Sequence, residues 1–120
     1  MGALCIREMS KFRAASHSGG GFRHGPLLDV DQTLVAIILA IGRTAELGLR
    51  LADDCLARGG RVILVHSQPV DPRSGLLCIQ VAEVTEPWES LTSVLPAQAL
   101  TLALIESHGT RYARLATTTE

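Results

Sequence analysis

A glycine-rich turn near the N-terminus places an arginine and a histidine side by side. Residues 19–26 read GGGFRHGP, in which Arg23 and His24 lie between three glycines and the pair Gly25-Pro26. Glycine reaches backbone angles closed to other residues and lets a ligand approach the main chain, whereas proline fixes φ and removes a donor. A cation and an imidazole at these positions are not typical of a hydrophobic core. The pattern indicates a site for an anionic, hydroxylated ligand, although a lone loop histidine can also be purely structural.

The composition predicts one small α/β domain over residues 1–120. The chain is 47% hydrophobic and 3% aromatic, and its 11 basic and 12 acidic residues leave a net charge of −1. No basic excess suggests nucleic acid. The longest apolar run, residues 34–41, is far shorter than the roughly 20 residues of a membrane helix. The N-terminus lacks the charged-then-apolar order of a signal peptide. We therefore expect a cytoplasmic protein without nucleic-acid or membrane partners.

The chemistry-bearing residues show no metal or cofactor pattern. Cys5, Cys55 and Cys78 are an odd number of cysteines at unrelated spacings, without the two-residue gap of a zinc knuckle or a redox motif. No group of His, Cys and acidic residues has metal-ligand spacing, and no G-x-G-x-x-G follows a strand. The sequence predicts free, buried thiols, no metal and no cofactor.

The elements that must hold the glycine-rich turn follow a β-α-β order. Residues 33–41 (TLVAIILAI) and 61–66 (RVILVH) are apolar runs without alternation, as in strands covered on both faces. Between them we expect a helix over residues 45–58, with Thr44 as its N-cap and Gly59-Gly60 at its end. The remaining predicted elements are a short helix in residues 2–11, a loop at 14–26 that becomes helical near Phe22, a strand at 76–81, and a helix from after Pro87 to about His108 that Pro96 kinks or divides. These elements predict a three-layer, Rossmann-like α/β/α fold with a mainly parallel sheet.

Residues 2–31, GALCIREMSKFRAASHSGGGFRHGPLLDVD, resemble part of the second sugar-isomerase (SIS) half-domain of glucosamine–fructose-6-phosphate aminotransferases and related phosphosugar isomerases. In that family a helix reading E-G-A-L-x-x-K-E leads through a small-residue loop to G-E-(L or F)-(K or R)-H-G-P, then a phrase like L-x-L-(I or V)-D. The later segments LARGGRVILV and VLPAQALTLALIESHGT agree more loosely with the family's crossover and final helix. The resemblance therefore covers essentially the whole chain, with FRHGP as its specific element.

The resemblance implies a sugar-phosphate site and roles for four residues. Glu8, sixteen positions before His24, matches the carboxylate that moves a proton between C1 and C2 during aldose–ketose isomerisation through an enediol. His24 matches the histidine that assists ring opening, which the family contributes across a dimer interface. Arg23 and Gly25 belong to the same motif and are expected to bind substrate, with Arg23 either steering the phosphate or pairing with an acid. The implied ligand is a hexose 6-phosphate.

The sequence also departs from the family's pattern. The Ser/Thr-rich phosphate loop of the first SIS half and the strand before the residue-2 helix have no counterpart, so we expect an incomplete half-domain. Gly21 replaces the acid of the motif, and Thr117 stands where the family's C-terminal lysine is expected. Two hypotheses follow. The chain is part of a phosphosugar isomerase or aminotransferase-like enzyme that is inactive alone, or it is a non-catalytic sugar-phosphate-binding or dimerisation module. Either way, we expect a homo-oligomer or a complementary SIS chain.

Overall fold

A computed structural model of the chain describes residues 2–7, 13–83 and 89–108. They belong to two compact units, one of His17–Ser93 and one of Met1–Ser16 together with Val94–Glu120. The elements in chain order are α1 (Gly2–Cys5), α2 (Gly19–Arg23), β1 (Val35–Ala40), α3 (Ala45–Ala57), β2 (Arg61–His66), β3 (Leu76–Gln80) and α4 (Glu89–His108). Short 3-10 turns cover Pro26–Asp29 and Gly42–Thr44. The predicted order of helices and strands is confirmed.

The three strands form one parallel sheet in the order β1-β2-β3. The register runs from Val35 opposite Arg61 to Ala40 opposite His66, and β3 continues it with Gln80 opposite His66. Because the strands are parallel and in register, Ala40, His66 and Gln80 end together at the carboxyl edge of the sheet. The Rossmann-like α/β fold predicted from the sequence is confirmed.

Helix α3 buries its apolar stripe against one face of the sheet. Leu51, Ala52 and Cys55 recur at helical spacing and belong to the same buried cluster as alternate residues of the two strands that α3 connects, Ile38 and Ala40 of β1 and Val62 and Leu64 of β2. Helical and strand periodicities thus select complementary faces of the three elements. This cluster is the core of the His17–Ser93 unit.

The two cysteines of this unit differ in their surroundings. Cys55 is a free, fully buried thiol of α3. Burial raises the pKa of the Cys55 thiol because the thiolate would be poorly solvated there. Cys78 is also free but exposed, so the prediction that it is buried is wrong. The reason is its place on β3, which pairs with β2 alone among the described strands and packs little of its surface.

The other face of the sheet is apolar and exposed along β1 and at Leu77 of β3, whereas Val65 of the central strand β2 is fully buried on it. Val35, Ile37 and Leu39 of β1 keep 40–47% of their surface accessible, and Leu77 of β3 keeps 59%. Among the described residues, the expectation that residues 33–41 are covered on both faces is therefore wrong for Val35, Ile37 and Leu39. In the described part of the chain, the apolar run has α3 on one face and a partly exposed hydrophobic surface on the other.

Two finer expectations about the helices also change. Thr44 does stand at the N-cap of α3, but its side chain caps no helical N–H and its hydroxyl lies 3.4 Å from the carbonyl oxygen of Ile41. The preceding 3-10 turn directs the hydroxyl backwards. Helix α4 is continuous across Pro96, so of the two predicted alternatives the division into two helices is wrong, and the kink stays a prediction. A proline removes only one N–H donor, which a helix of 20 residues tolerates.

The unit of the two terminal segments contains α1 and most of α4. Within it Ile6 and Thr101 are buried, and the Thr101 hydroxyl donates a hydrogen bond of 2.7 Å to the carbonyl oxygen of Ala97. None of the described helices is long and apolar enough to cross a membrane.

The contact between α3 and β1 predicts the effect of a mutation. A Cβ atom on Gly48 would lie 2.9 Å from Cα of Ala40 and 3.2 Å from the carbonyl oxygen of Leu39, and these backbone atoms cannot easily move. We expect Gly48→Ala to lower the free energy of unfolding by about 1–3 kcal/mol, measured by urea denaturation.

The matched control is Gly20→Ala in α2, where a Cβ atom meets nothing within 4 Å. Alanine stabilises an unhindered helical position by up to about 1 kcal/mol relative to glycine. The two variants should therefore change stability in opposite directions. Stabilisation by Gly48→Ala would contradict the close approach of α3 to β1.

Candidate functional site

The candidate site is built on α2, a helix of five residues over Gly19–Arg23. Ser18 precedes it in an extended conformation, and its hydroxyl oxygen accepts a hydrogen bond of 3.0 Å from the backbone N–H of Gly21. Such a cap satisfies one of the N–H groups that a helix start leaves unpaired. The prediction that the loop becomes helical near Phe22 is confirmed, and the helix ends with Arg23.

Phe22 anchors this short helix to the core. Its half-buried ring packs against the cluster of α3, β1 and β2, as does Leu27 just beyond the turn. The ring also meets His17 edge to face, with 5.7 Å between the ring centroids. A helix of one turn has no stability of its own, so tertiary packing of this kind must hold it.

His24 follows α2 and is exposed to solvent. Its side chain makes no hydrogen bond or ion pair with the residues that the structure describes, which leaves the imidazole accessible to a ligand. Gly25 then adopts a φ of +141°, and its carbonyl oxygen accepts a hydrogen bond of 2.8 Å from the N–H of Leu28. The 3-10 turn from Pro26 fixes the chain after the histidine. His24 is thus an accessible side chain on a constrained backbone.

Arg23 pairs with an acid on α3. Its Nη1 donates to Oδ2 of Asp54 at 2.5 Å, across 31 positions of sequence. The two side chains keep 36% and 41% of their surface exposed, so solvent screens the pair only in part. Of the two roles left open for Arg23, pairing with an acid is the one that the structure contains.

A shallow cleft of about 420 Å³ lies between α2 and the outer face of α3. It is lined by two basic, two acidic and one apolar side chain, namely Arg23, Leu47, Arg50, Asp53 and Asp54. Arg50 donates to Glu46 at 2.6 Å one turn earlier on the helix, and Asp53 accepts from Arg73. The cleft therefore has little net charge, because each of its two cations has a carboxylate partner.

An aspartate turn carries the chain from the site into β1. The backbone N–H and the hydroxyl of Thr33 donate to Oδ1 of Asp31, at 2.7 and 2.6 Å. These hydrogen bonds hold the pKa of Asp31 below its usual value, because they stabilise the carboxylate, the side-chain bond more than the backbone bond. Asp31 is the last residue of the LLDVD phrase, so its role here is to shape the turn.

Glu8 lies outside the described residues, so its role stays a prediction.

His66 ends β2 at the carboxyl edge and is only 5% exposed. Its Nδ1 lies 2.5 Å from the carbonyl oxygen of Gln68, to which it must donate, and its buried Nε2 has no partner in the described part of the chain. Among the described residues no three His, Cys, Asp or Glu side chains are grouped to hold a metal ion.

Two residues of the site were not anticipated from the sequence. Asp54 reads as one of several polar residues on the outer face of α3, and no local signal links it to Arg23 thirty-one positions away. Ser18 carries a detectable signal, since serine before a helix start is a preferred N-cap. Three following glycines weaken that signal because they disfavour a helix.

Comparison with known proteins relates the chain to one group of enzymes. No protein-family model matches it. The glutamine–fructose-6-phosphate aminotransferase (isomerizing) of Brucella abortus biovar 1 is 31% identical over 106 residues, which are 82% of this chain and 17% of that protein. The enzyme of the same name from Thermus thermophilus is 33% identical over 102 residues, with the same shares. The chain thus spans about a sixth of the length of these relatives.

A solved structure agrees with the sequence comparison on the fold. The C-terminal domain of glucosamine-fructose-6-phosphate aminotransferase from Francisella tularensis matches 86% of this chain and 30% of its own, with a TM-score of 0.76. Its sequence is 22% identical, so this likeness concerns the fold. Together the comparisons confirm the resemblance that FRHGP and its flanking phrases indicate.

The backbone of Gly25 predicts a mutational effect at the site. A Cβ atom there has open space, so the obstacle to another residue is the φ of +141° and not a clash. We expect Gly25→Ala to destabilise the turn by about 1–3 kcal/mol and to shift the ring resonances of His24 in NMR spectra. Gly19→Ala, also with open space at its Cβ and in α2, should leave the His24 resonances unchanged and should not destabilise the turn. Equal behaviour of the two variants would refute the constrained backbone.

Proposed function

We propose that this chain, a SIS-type half-domain similar to the isomerase half of glucosamine–fructose-6-phosphate aminotransferases, binds a sugar phosphate of the hexose 6-phosphate class. The observation that carries the proposal is the FRHGP turn, which presents an exposed imidazole on a backbone fixed at both sides. Ser18 and Phe22 hold it from the α2 side, and the 3-10 turn holds it after Gly25. An imidazole near neutral pH can both donate and accept protons, as opening a sugar ring requires.

The reaction that the proposal assigns to the intact site is aldose–ketose isomerisation. His24 would remove the proton of the anomeric hydroxyl and return one to the ring oxygen, which opens the ring. Glu8 would then move a proton between C1 and C2 through an enediol, a step that needs a positioned base. Gly25 would let the sugar approach the backbone, whereas Arg23 is engaged by Asp54. The relatives' names state both amination and isomerisation, and here we propose the isomerisation.

A second candidate is a binding or dimerisation module that performs no chemistry. The observation in its favour is electrostatic. The cations of the described cleft, Arg23 and Arg50, are each engaged by a carboxylate, which leaves little excess positive charge for a phosphate dianion. Phosphate binding by a complementary SIS half would resolve this, and the chain alone would then bind weakly without turnover.

A thermal-shift titration distinguishes binding from its absence. We expect glucose 6-phosphate, fructose 6-phosphate or glucosamine 6-phosphate to raise the Tm in a saturable way, because a ligand of the folded state stabilises it by about 2.7 kcal/mol at a hundredfold excess over Kd. His24→Ala should remove the shift. Inorganic phosphate and the unphosphorylated sugar serve as ligand controls.

The matched variant is His17→Ala, which removes an exposed imidazole of the same segment and leaves His24 in place. Because His17 meets the Phe22 ring, the Tm of this variant without ligand is the reference for its shift. The variant should keep the ligand-induced shift. Absence of any shift in a cooperatively melting wild-type chain would contradict sugar-phosphate binding by this chain. Binding without turnover by the chain alone is expected for both candidates, so the isomerase assay is repeated with a complementary SIS half added. Turnover in that mixture that His24→Ala abolishes would select the isomerase, and its absence would select the non-catalytic module.

We further propose that a second copy of the chain covers the exposed apolar face of the sheet. Val35, Ile37, Leu39 and Leu77 carry no charge, and an uncharged apolar patch is complementary to itself in a two-fold interface. Exposed apolar patches of this kind mark interaction surfaces in natural proteins. A homo-oligomer therefore agrees with the family resemblance and with the surface.

Two lysine substitutions on one strand test the oligomer. Leu77 and Gln80 are both exposed on β3, but they point to opposite faces because strand residues alternate. We expect light scattering to give an oligomer mass for the wild type and for Gln80→Lys, and a smaller mass for Leu77→Lys. A monomeric wild type would rule out the second copy and leave a complementary SIS chain as the partner.

A further inference from the structure

We propose that Asp54 is a positioning residue for His24, acting through its ion pair with Arg23. This inference rests on the proposed function only for the consequence in ligand binding, since the pair itself is a feature of the fold. Arg23 and His24 are adjacent, so an anchor on the arginine fixes the start of the histidine's backbone. The anchor lies on α3, whose opposite face belongs to the core.

The geometry divides the constraints on His24 into two sets. After the histidine, Gly25 and Leu28 close a backbone turn that does not involve α3. Before it, the Ser18 cap is local to α2, and Phe22 supplies nonpolar contact with the core. The Arg23–Asp54 pair is the directional contact between α2 and α3 among the described residues. It fixes the rotation of the one-turn helix, which nonpolar contact by itself leaves free.

The same pair explains why a motif cation need not bind the phosphate. A guanidinium has five N–H donors in a rigid plane, so one carboxylate can orient the whole group. In this arrangement Arg23 attracts a second anion much less strongly, and its role is to link α2 to α3. Asp54 and Arg23 then affect ligand binding through the position of His24, and neither contacts the ligand.

The chain offers a matched control in the neighbouring pair of Asp53 with Arg73. Asp53 and Asp54 are consecutive residues of α3, each pairs with an arginine distant in sequence, and each is similarly exposed. Asp53 joins α3 to the loop before β3, whereas Asp54 joins α3 to α2. Asp54→Asn and Asp53→Asn therefore remove the same chemical interaction and differ in which segment is released.

The experiment measures His24 itself, in the full chain and without ligand. We expect Asp54→Asn to shift the NMR signals of the His24 ring and to speed amide exchange in residues 19–25 by about two- to fivefold, the range set by a partly exposed ion pair. Asp53→Asn should change the Tm as much as Asp54→Asn does, but should leave the His24 ring signals and the amide exchange of residues 19–25 unchanged. High ionic strength should reproduce the effect of Asp54→Asn in the wild type, because salt screens exposed charges.

A double-mutant cycle then connects the pair to the ligand. We expect Arg23→Gln, Asp54→Asn and the double variant to weaken glucose 6-phosphate binding to the same extent, about two- to fivefold. The reason is that all three remove the same ion pair between Arg23 and Asp54. A much larger loss for Arg23→Gln than for Asp54→Asn would overturn the proposal and make Arg23 a direct phosphate ligand. Unchanged His24 signals in Asp54→Asn would also overturn it. A wild type that binds no sugar phosphate would defeat the proposed function and leave the NMR result to decide the positioning role.

Discussion

The packing of α3 against β1 and β2 is the constraint on which the described structure depends. Gly48 lets the helix backbone approach Ala40 so closely that a single added methyl group would collide with it. That approach brings Leu51, Ala52 and Cys55 into contact distance of the strands and closes the core. Without it the three strands would have neither a covered face nor a fixed helix beside them. Close packing of this kind makes the position of the helix well defined.

The same helix serves the candidate site with its other side. Its inner face belongs to the core, while Asp54 on its outer side pairs with Arg23 of the histidine turn. A one-turn helix that contains three glycines cannot hold its shape alone. Two contacts hold it in place, the packing of Phe22 against the core and the ion pair of Arg23 with α3. The backbone before His24 is therefore constrained. The histidine side chain remains exposed to solvent.

The face of the sheet that does not contact α3 is the surface on which association with another chain would depend. Parallel sheets are normally covered on both faces, because their strands are apolar on both. In this chain one face is covered by α3 and the other displays Val35, Ile37, Leu39 and Leu77. This surface is the one that the proposed second copy would cover, driven by the hydrophobic effect.

The sequence by itself determined the order of elements, the parallel sheet, the one-turn helix at Phe22 and the family resemblance, because each follows from local pattern. Uninterrupted apolar runs define strands, Gly59-Gly60 ends α3, and FRHGP is a contiguous motif. It did not determine that the face bearing Ile37 is exposed, that Cys78 lies at the surface or that Thr44 leaves its helix uncapped. Those outcomes depend on which elements meet. The pairing of Arg23 with Asp54 is the clearest case, since only the folding of α3 onto β1 and β2 brings two charges thirty-one residues apart within hydrogen-bond distance.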